Sequence, residues 1–266
     1  MSGVGEVLAA ANAQGRAALV GYLPVGFPDV PGSIDAMVAM VEAGVDIVEI
    51  GVPYTDPLMD GPVIAHAADV ALEGGTRLKD VFTAVRAVVE AGAPALVMTY
   101  WNPVLRYGVD RFADDLAKAG GAGLITPDLI PEEGAEWIAA AARNDLDRVF
   151  LVAPSSTPQR LRSTALACRG FVYVASTMGV TGARTTVGDA AEVLVNRTRL
   201  VTDLPLCVGL GVSTGAQAAQ VAAFADGVIV GSALVRCLTD AGLRDDGLTA
   251  IRKLSAELAA GVRQGS

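Results

Sequence analysis

Hydrophobic positions along the chain follow two alternating periods. Short runs rich in β-branched residues alternate with Ala-rich stretches whose apolar positions recur at helical spacing. Residues 33–43 and 80–90 show that helical spacing most clearly, and we predict both as crossover helices, with a last helix from about Leu248. The predicted strands are residues 17–23, 46–50, 95–99, 123–126, 148–152, 170–175, 206–209 and 227–230.

Eight strands alternating with helices are typical of a parallel (β/α)8 barrel, the TIM-barrel architecture. No low-complexity linker interrupts the order, and 266 residues of which 52% are hydrophobic can bury one large core. We therefore predict a single α/β domain over residues 1–266, with an extra helix at its N-terminus. A doubly wound parallel sheet is the alternative that counting strands leaves open.

Composition narrows the classes of function. The net charge of −9 and the absence of a basic stripe argue against nucleic acid as a partner. The three cysteines have no paired spacing, so neither a disulfide framework nor a metal site is expected. The first residues do not resemble a secretory leader, and no apolar run reaches the roughly 20 residues of a membrane span. We expect an unprocessed cytoplasmic protein that does not enter a membrane.

The most informative stretch is residues 48–62, where an apolar strand contains a carboxylate and continues into a loop with two more. Strand alternation puts Val45, Ile47 and Glu49 on one face, so Glu49 extends an apolar surface. Burial there is expected to raise its pKa. The alternative is a structural carboxylate paired with a cation, and the absence of any Arg or Lys nearby in sequence argues against it.

Two aspartates follow in a loop stiffened by prolines, and a barrel places its chemistry in such loops at the C-terminal ends of the strands. Asp60 is the better catalytic candidate, because Asp56 equally suits a simple turn. The single histidine, His66, falls in an Ala-rich stretch and is expected to be a packing or surface residue. Tyr22, Tyr100, Asp128 and Tyr173 also stand at predicted strand ends.

Three glycine-rich turns follow the last three predicted strands, at residues 179–182, 209–213 and 231–232. Glycine lets the backbone approach an anion closely, and a helix N-terminus adds a favourable dipole. Late turns of a barrel therefore suit a phosphate group. Glycine is also an ordinary way to end a strand tightly, so each turn alone leaves both interpretations open.

The ordered motif at residues 48–62 resembles the signature of the tryptophan synthase alpha chain family. Further pieces occur in the family's order at residues 22–28, 127–133, 179–182 and 231–232, so the resemblance covers nearly the whole chain. It implies a (β/α)8 barrel that acts as a lyase in tryptophan biosynthesis. The implied reaction is retro-aldol cleavage of indole-3-glycerol phosphate to indole and glyceraldehyde 3-phosphate.

The resemblance also implies roles for individual residues. Glu49 would transfer protons, and Asp60 would accept a hydrogen bond from the indole N–H. Tyr173 would line the reacting end of the site, and Thr181 would close it as part of a lid. The implied phosphate contacts are Gly182, Gly211, Gly231 and Ser232, and the implied indole pocket is Tyr22, Met98 and Ile125.

The sequence departs from the family's usual pattern at three positions near the implied site. Tyr22 and Leu210 stand where Phe is frequent, and Thr177 stands where enteric members have Arg. These departures concern ligand contacts and the lid, whereas the two carboxylates are intact.

A partner is implied as well. The family's alpha chain passes indole to a beta chain that carries pyridoxal phosphate, within an allosteric α2β2 heterotetramer, so no cofactor is expected in this chain. The implied contact surface includes Pro53, Asp56, Asn102 and Asp128. Alternatives are a stand-alone lyase of the same barrel type, a sugar-phosphate isomerase with Glu49 as base, and a non-catalytic subunit that senses the ligand for a partner.

Overall fold

The computed structural model describes residues 3–175, 189–209, 211–241 and 244–264. Within these residues nine strands are present: β1 (Ala18–Pro24), β2 (Ile47–Gly51), β3 (Ala95–Met98), β4 (Gly123–Ile125), β5 (Asp147–Val149), β6 (Leu151–Val152), β7 (Val172–Ala175), β8 (Leu206–Gly209) and β9 (Gly227–Val230). The helices of the same residues are α1 (Gly3–Ala13), α2 (Val30–Glu42), α3 (Pro62–Glu73), α4 (Leu78–Glu90), α5 (Trp101–Tyr107), α6 (Val109–Lys118), α7 (Ala135–Arg143), α8 (Pro158–Ala167), α9 (Asp189–Arg199), α10 (Gly215–Ala222), α11 (Ser232–Thr239) and α12 (Arg244–Gly261).

The strands form one parallel sheet in the order β5-β4-β3-β2-β1-β9-β8-β7-β6. Its two edge strands, β5 and β6, are consecutive pieces of one run, so the sheet closes on itself and the predicted barrel is confirmed. The prediction of one unbroken fifth strand at residues 148–152 was wrong. The amide of Phe150 donates to the Cys168 Sγ at 3.4 Å, which interrupts the ladder between the two pieces.

Alternate strand residues point into the barrel. Small and apolar side chains from the strands fill an inner core, and α1 contributes Val4, Leu8 and Ala11 to it. Leu8 lies beside Gly227, the first residue of β9, so α1 covers the end of the barrel where the strands begin. This is the extra N-terminal helix expected from the sequence, and it leaves the opposite end as the mouth.

A second and larger core lies between the sheet and the surrounding helices, and it contains Val48 and Ile50 of β2. Ile47 belongs instead to the inner core, so the predicted alternation along β2 is correct from Ile47 onward. It was wrong for Val45, which packs in the outer core. The strand begins only after the turn at Gly44, whose φ is +104°, and the Val45 amide still bonds to the Met40 carbonyl of α2.

The predicted helices are present with earlier starts. α2 begins at Val30 because the Asp29 carboxylate accepts a hydrogen bond from the Gly32 amide at 2.6 Å and caps its N-terminus. α4 and α12 begin at Leu78 and Arg244, two and four residues before the predicted positions. Among the described residues no helix is long and apolar enough to cross a membrane.

Candidate active site

Glu49 lies on the inner face of β2, where it pairs in register with Tyr22 of β1 and Leu96 of β3. Its side chain is completely buried, and neither carboxylate oxygen has a hydrogen-bond partner within the described part of the chain. The ion pair considered as an alternative is therefore not formed there. Burial raises the pKa of Glu49 to about 8, so the carboxyl is mostly protonated at pH 7.

Asp60 stands at the end of the loop that follows β2, immediately before the residue that caps α3. Its Oδ1 accepts a hydrogen bond from the Tyr100 hydroxyl at 3.2 Å. Burial raises the pKa of Asp60, and the hydrogen bond from Tyr100 opposes that change because it favours the charged form. The two predicted catalytic carboxyls thus sit in different surroundings. Within the described part of the chain Glu49 has no hydrogen-bond partner, whereas Asp60 is held by a phenol.

Two tyrosines stand at the mouth around Glu49. Burial raises the pKa of both Tyr22 and Tyr173 well above the usual value, and Glu49 adds to the effect on each. Glycines at strand ends make room for these rings. A Cβ at Gly51 would lie 2.3 Å from the Tyr22 hydroxyl, and one at Gly209 would lie 2.4 Å from the Tyr173 hydroxyl.

The predicted indole-pocket residues lie on neighbouring strands. Met98 pairs in register with Gly51 on one side and with Ile125 on the other. Both Met98 and Ile125 belong to the inner core, and Met98 is the more exposed of the two. Together with Tyr22 they place apolar surface beside Glu49, which suits a flat aromatic ligand.

The two described glycine turns differ in whether side chains of the protein bind the backbone amides at the start of the following helix. At the start of α10, three backbone amides already donate hydrogen bonds to side chains of this protein. The Gly215 amide donates to Glu257 at 2.9 Å, the Gln217 amide donates to Thr214, and the Ser213 amide donates to the Gln217 side chain. α11 begins at Ser232 with Gly231 as its cap residue and no side-chain cap. An anion is therefore better accommodated at α11, although Gly211, with φ of +65°, lies in the neighbouring turn.

Gly231 also brings this turn close to the carboxyls, because a Cβ there would lie 3.2 Å from the Tyr22 ring. The anion position and the aromatic pocket are thus contiguous. Some of the sequence prediction lies outside the described residues, namely Thr177, the whole turn at residues 179–182 with Thr181 and Gly182, and Leu210.

The residues predicted to contact a partner lie on the loops of the same mouth. The Asp128 carboxylate accepts from the Trp101 amide at 2.9 and 3.1 Å, and the Asn102 amide group donates to the Tyr54 hydroxyl at 3.1 Å. Asp56 is exposed and accepts from its neighbour Thr55. Pro53, next to Tyr54, is half-buried in the loop after β2.

Three apolar side chains near these loops are exposed. Leu58 and Ile130, in the loops after β2 and β4, are 76% and 41% exposed, and Leu105 on the short helix α5 is 52% exposed. The sequence pattern does not single them out, since a lone apolar residue in a loop or a seven-residue helix shows no clear period. The sequence places Tyr100 at a strand end but does not indicate a function for it, because its contact with Asp60 forms only where two segments distant in sequence meet.

Comparison with known proteins decides the family. A family model described as "Tryptophan synthase alpha chain" matches residues 8–263. The chain belongs to the tryptophan synthase alpha chain family. It is 63% identical over 263 residues to the tryptophan synthase alpha chain of Mycobacterium avium strain 104, covering 99% of this chain and 95% of that protein.

Solved structures of the family agree with the fold. A structure of Mycobacterium tuberculosis tryptophan synthase in space group F222 has a chain that superposes with a TM-score of 0.94 at 61% identity, over 98% of both chains. The tryptophan synthase subunit alpha of Legionella pneumophila superposes with a TM-score of 0.89 at 30% identity, also over 98% of both. Membership of the tryptophan synthase alpha chain family gives this chain an enzymatic role as an alpha subunit in tryptophan biosynthesis.

Proposed function

We propose that this chain is the lyase that cleaves indole-3-glycerol phosphate to indole and glyceraldehyde 3-phosphate. The observation that carries the proposal is Glu49, a buried carboxyl that has no hydrogen-bond partner among the described residues and whose pKa of about 8 keeps it protonated near neutral pH. Such a group can give a proton and then take one, which is what a retro-aldol cleavage requires.

The first step is protonation of the ring. Glu49 donates its proton to indole C3, and the positive charge that develops reaches the ring nitrogen. Asp60, ionised and held by Tyr100, accepts a hydrogen bond from the ring N–H and stabilises that charge. Buried apolar surface from Met98 and Ile125 excludes water and orients the ring.

The second step breaks the carbon–carbon bond. The Glu49 carboxylate removes the proton of the hydroxyl on the carbon attached to C3. That carbon becomes the aldehyde of glyceraldehyde 3-phosphate, and the electron pair of the broken bond returns to the ring to give indole. Glu49 ends protonated, so the cycle is complete. Tyr173 lines this end, and the family resemblance assigns closure of the site to Thr181.

The phosphate group would sit at the start of α11. Gly231 and Ser232 supply backbone there without a competing side-chain cap, and Gly211 and Gly182 are assigned to the same group by the family resemblance. Tyr22 lies between this turn and Glu49. A Cβ at Gly231 would lie 3.2 Å from its ring, and Tyr22 of β1 pairs in register with Glu49 of β2. No metal is required by this chemistry.

The chain would work with a beta chain that carries pyridoxal phosphate, in an α2β2 heterotetramer in the cytoplasm. The exposed leucines at the mouth support a partner there, beside Pro53, Asp56, Asn102 and Asp128. If Asp56 takes part in the communication between the two chains, Asp56→Ala will weaken activation by the beta chain more than cleavage by the chain alone. Equal losses in both would contradict that role.

The test is indole release from indole-3-glycerol phosphate by the purified chain, alone and with a beta chain. We expect slow release that rises sharply with the partner, and loss of release in both Glu49→Gln and Asp60→Asn. Glu42→Gln is the matched control, because Glu42 is an exposed carboxylate on α2 paired with Arg252. Fast release without a partner would instead indicate a stand-alone lyase, and no release in either mixture would refute the proposal.

A further inference from the structure

Tyr100 occupies a central place between the mouth loops. It follows β3 and is the cap residue before α5, and only 5% of its surface is exposed. Its hydroxyl reaches across to the loop after β2, where it contacts two consecutive residues. A largely buried phenol usually has hydrogen-bond partners of this kind within the protein.

The two hydrogen bonds fix the direction of the hydroxyl. The Met59 amide can only donate, and it donates to the Tyr100 oxygen at 2.9 Å. The hydroxyl has one proton of its own, and the geometry directs it to Asp60 Oδ1 at 3.2 Å. The same phenol therefore holds both the backbone before Asp60 and the Asp60 carboxylate.

Tyr100 is itself held in place by its neighbours. The Tyr54 ring packs against the Tyr100 ring with centroids 5.4 Å apart, and the Asp128 carboxylate binds the amide of the next residue, Trp101. Two of the residues expected to contact a partner, Asn102 and Asp128, thus contact the neighbours of Tyr100.

We propose that Tyr100 is a positioning residue for Asp60: its hydroxyl, oriented by the Met59 amide, holds the Asp60 carboxylate ionised and aimed into the indole pocket. The inference concerns how Asp60 is held and rests on the role proposed for Asp60 above. Tyr100 does not act on the substrate. It acts through the carboxylate that does.

The electrostatics of the surrounding groups agree with this arrangement. In the part of the chain that the structure describes, the titratable groups that face Asp60 are Tyr100 and Tyr22, and Asp128 faces Tyr100 from the loop after β4. Burial, with Asp60 and Asp128 adding to it, raises the pKa of Tyr100 to about 12, so the phenol remains a donor at any working pH. Its hydrogen bond lowers the pKa of Asp60 against the effect of burial.

The first test is independent of turnover. The Asp60 carboxyl is titrated by 13C NMR in the full chain with labelled aspartate, and its signal is identified by its loss in Asp60→Asn. In Tyr100→Phe we expect the titration midpoint to rise by about one pH unit, the size of one hydrogen bond to a charged group. Tyr107→Phe is the matched control, because that phenol on α5 donates to Asp115 away from the mouth.

A second measurement uses the unaltered chain, in case Tyr100→Phe does not fold. The Tyr100 Cζ signal should change as Asp60 becomes protonated, and this change should vanish in Asp60→Asn. An Asp60 midpoint that is the same with and without the Tyr100 hydroxyl, or a Tyr100 signal that ignores Asp60, would overturn the proposal. So would an equal rise of the midpoint in Tyr107→Phe.

Turnover provides the third readout. With the beta chain present, Tyr100→Phe should lower kcat about 10-fold, leave KM within about twofold, and move the acid limb of the kcat profile to higher pH. If Tyr100 had only a structural role, Tyr100→Phe would lower the fraction of active enzyme without shifting the acid limb of the kcat profile along the pH axis. If the unaltered chain releases no indole, the proposed function fails, whereas the NMR titration still decides whether Tyr100 holds Asp60.

Discussion

Glu49→Gln should make the protein more stable, by an amount that depends on pH. The pKa of Glu49 lies at about 8 in the folded chain, compared with 4.5 for an ordinary carboxyl. Between these two values the folded chain retains a proton that the unfolded chain has released. Stability must therefore fall as pH rises through this range, by about 1.4 kcal/mol for each pH unit.

The whole effect is large. It is absent below about pH 4.5, reaches about 3 kcal/mol at pH 7, and is complete at about 5 kcal/mol above pH 8. Glutamine has nearly the shape of the protonated carboxyl but does not ionise. The variant should therefore exceed the free energy of unfolding of the unaltered chain by less than about 1 kcal/mol at pH 5 and increasingly up to pH 9, while it loses activity.

The assay is urea unfolding of both chains at each pH unit from 5 to 9, with the difference in unfolding free energy plotted against pH. Glu42→Gln, which changes an exposed carboxylate, serves as the control and should give a flat line. A flat difference for Glu49→Gln as well would refute the reasoning, because it would mean that Glu49 ionises in the folded chain as easily as in water. A difference that changed in the opposite direction, with the variant becoming less stable than the unaltered chain as pH rises, would refute it equally.

Three further predictions concern other parts of the molecule. Gly209→Ala should lower indole release at least about 10-fold, because its Cβ would lie 2.4 Å from the Tyr173 hydroxyl. Adding Tyr173→Phe removes that hydroxyl and should recover part of the loss of ligand binding. Gly3→Ala is the control and should be neutral, because there is open space around Gly3. Leu105→Glu should weaken binding of the beta chain in a titration while slow release by the chain alone is unchanged, whereas Leu166→Glu, at a side chain that is 76% exposed on α8, should do neither. Asp46→Asn should cost about 2 kcal/mol in urea unfolding, because Arg16 loses the charge and one of the two carboxylate oxygens that it bonds at 2.8 and 2.9 Å, with no change in kcat per folded molecule.

Much of the fold follows from local pattern. The inward direction of Glu49 was predictable because β2 alternates strictly from Ile47 to Gly51, and a strand period of two leaves no other choice. The break at Phe150 was not predictable, because it depends on a thiol 18 residues further along the chain. The start of β2 after Val45 depends similarly on how α2 ends.

The site shows the same division. The sequence indicates which loops carry carboxylates, because strand ends of a barrel meet at one mouth. It does not indicate that Asp60 is bound by a phenol 40 residues away, or that Glu257 occupies the start of α10 and leaves α11 for an anion. Such contacts arise only when distant segments pack, so no periodicity records them.

The order of the strands has a consequence for synthesis of the chain on the ribosome. Among the described strands, each one pairs with its neighbours in sequence, except that the edge strands β5 and β6 do not pair with each other. β1 pairs in addition with β9, which ends at Val230. The edge of β1 therefore waits unpaired until most of the chain has been made. Glu49 is synthesised early, but Tyr173 of β7, which lies close enough for Glu49 to raise its pKa, is made more than 120 residues later. A nascent chain thus contains an ordinary acid at this position, and the carboxyl acquires its unusual proton affinity only when the barrel closes.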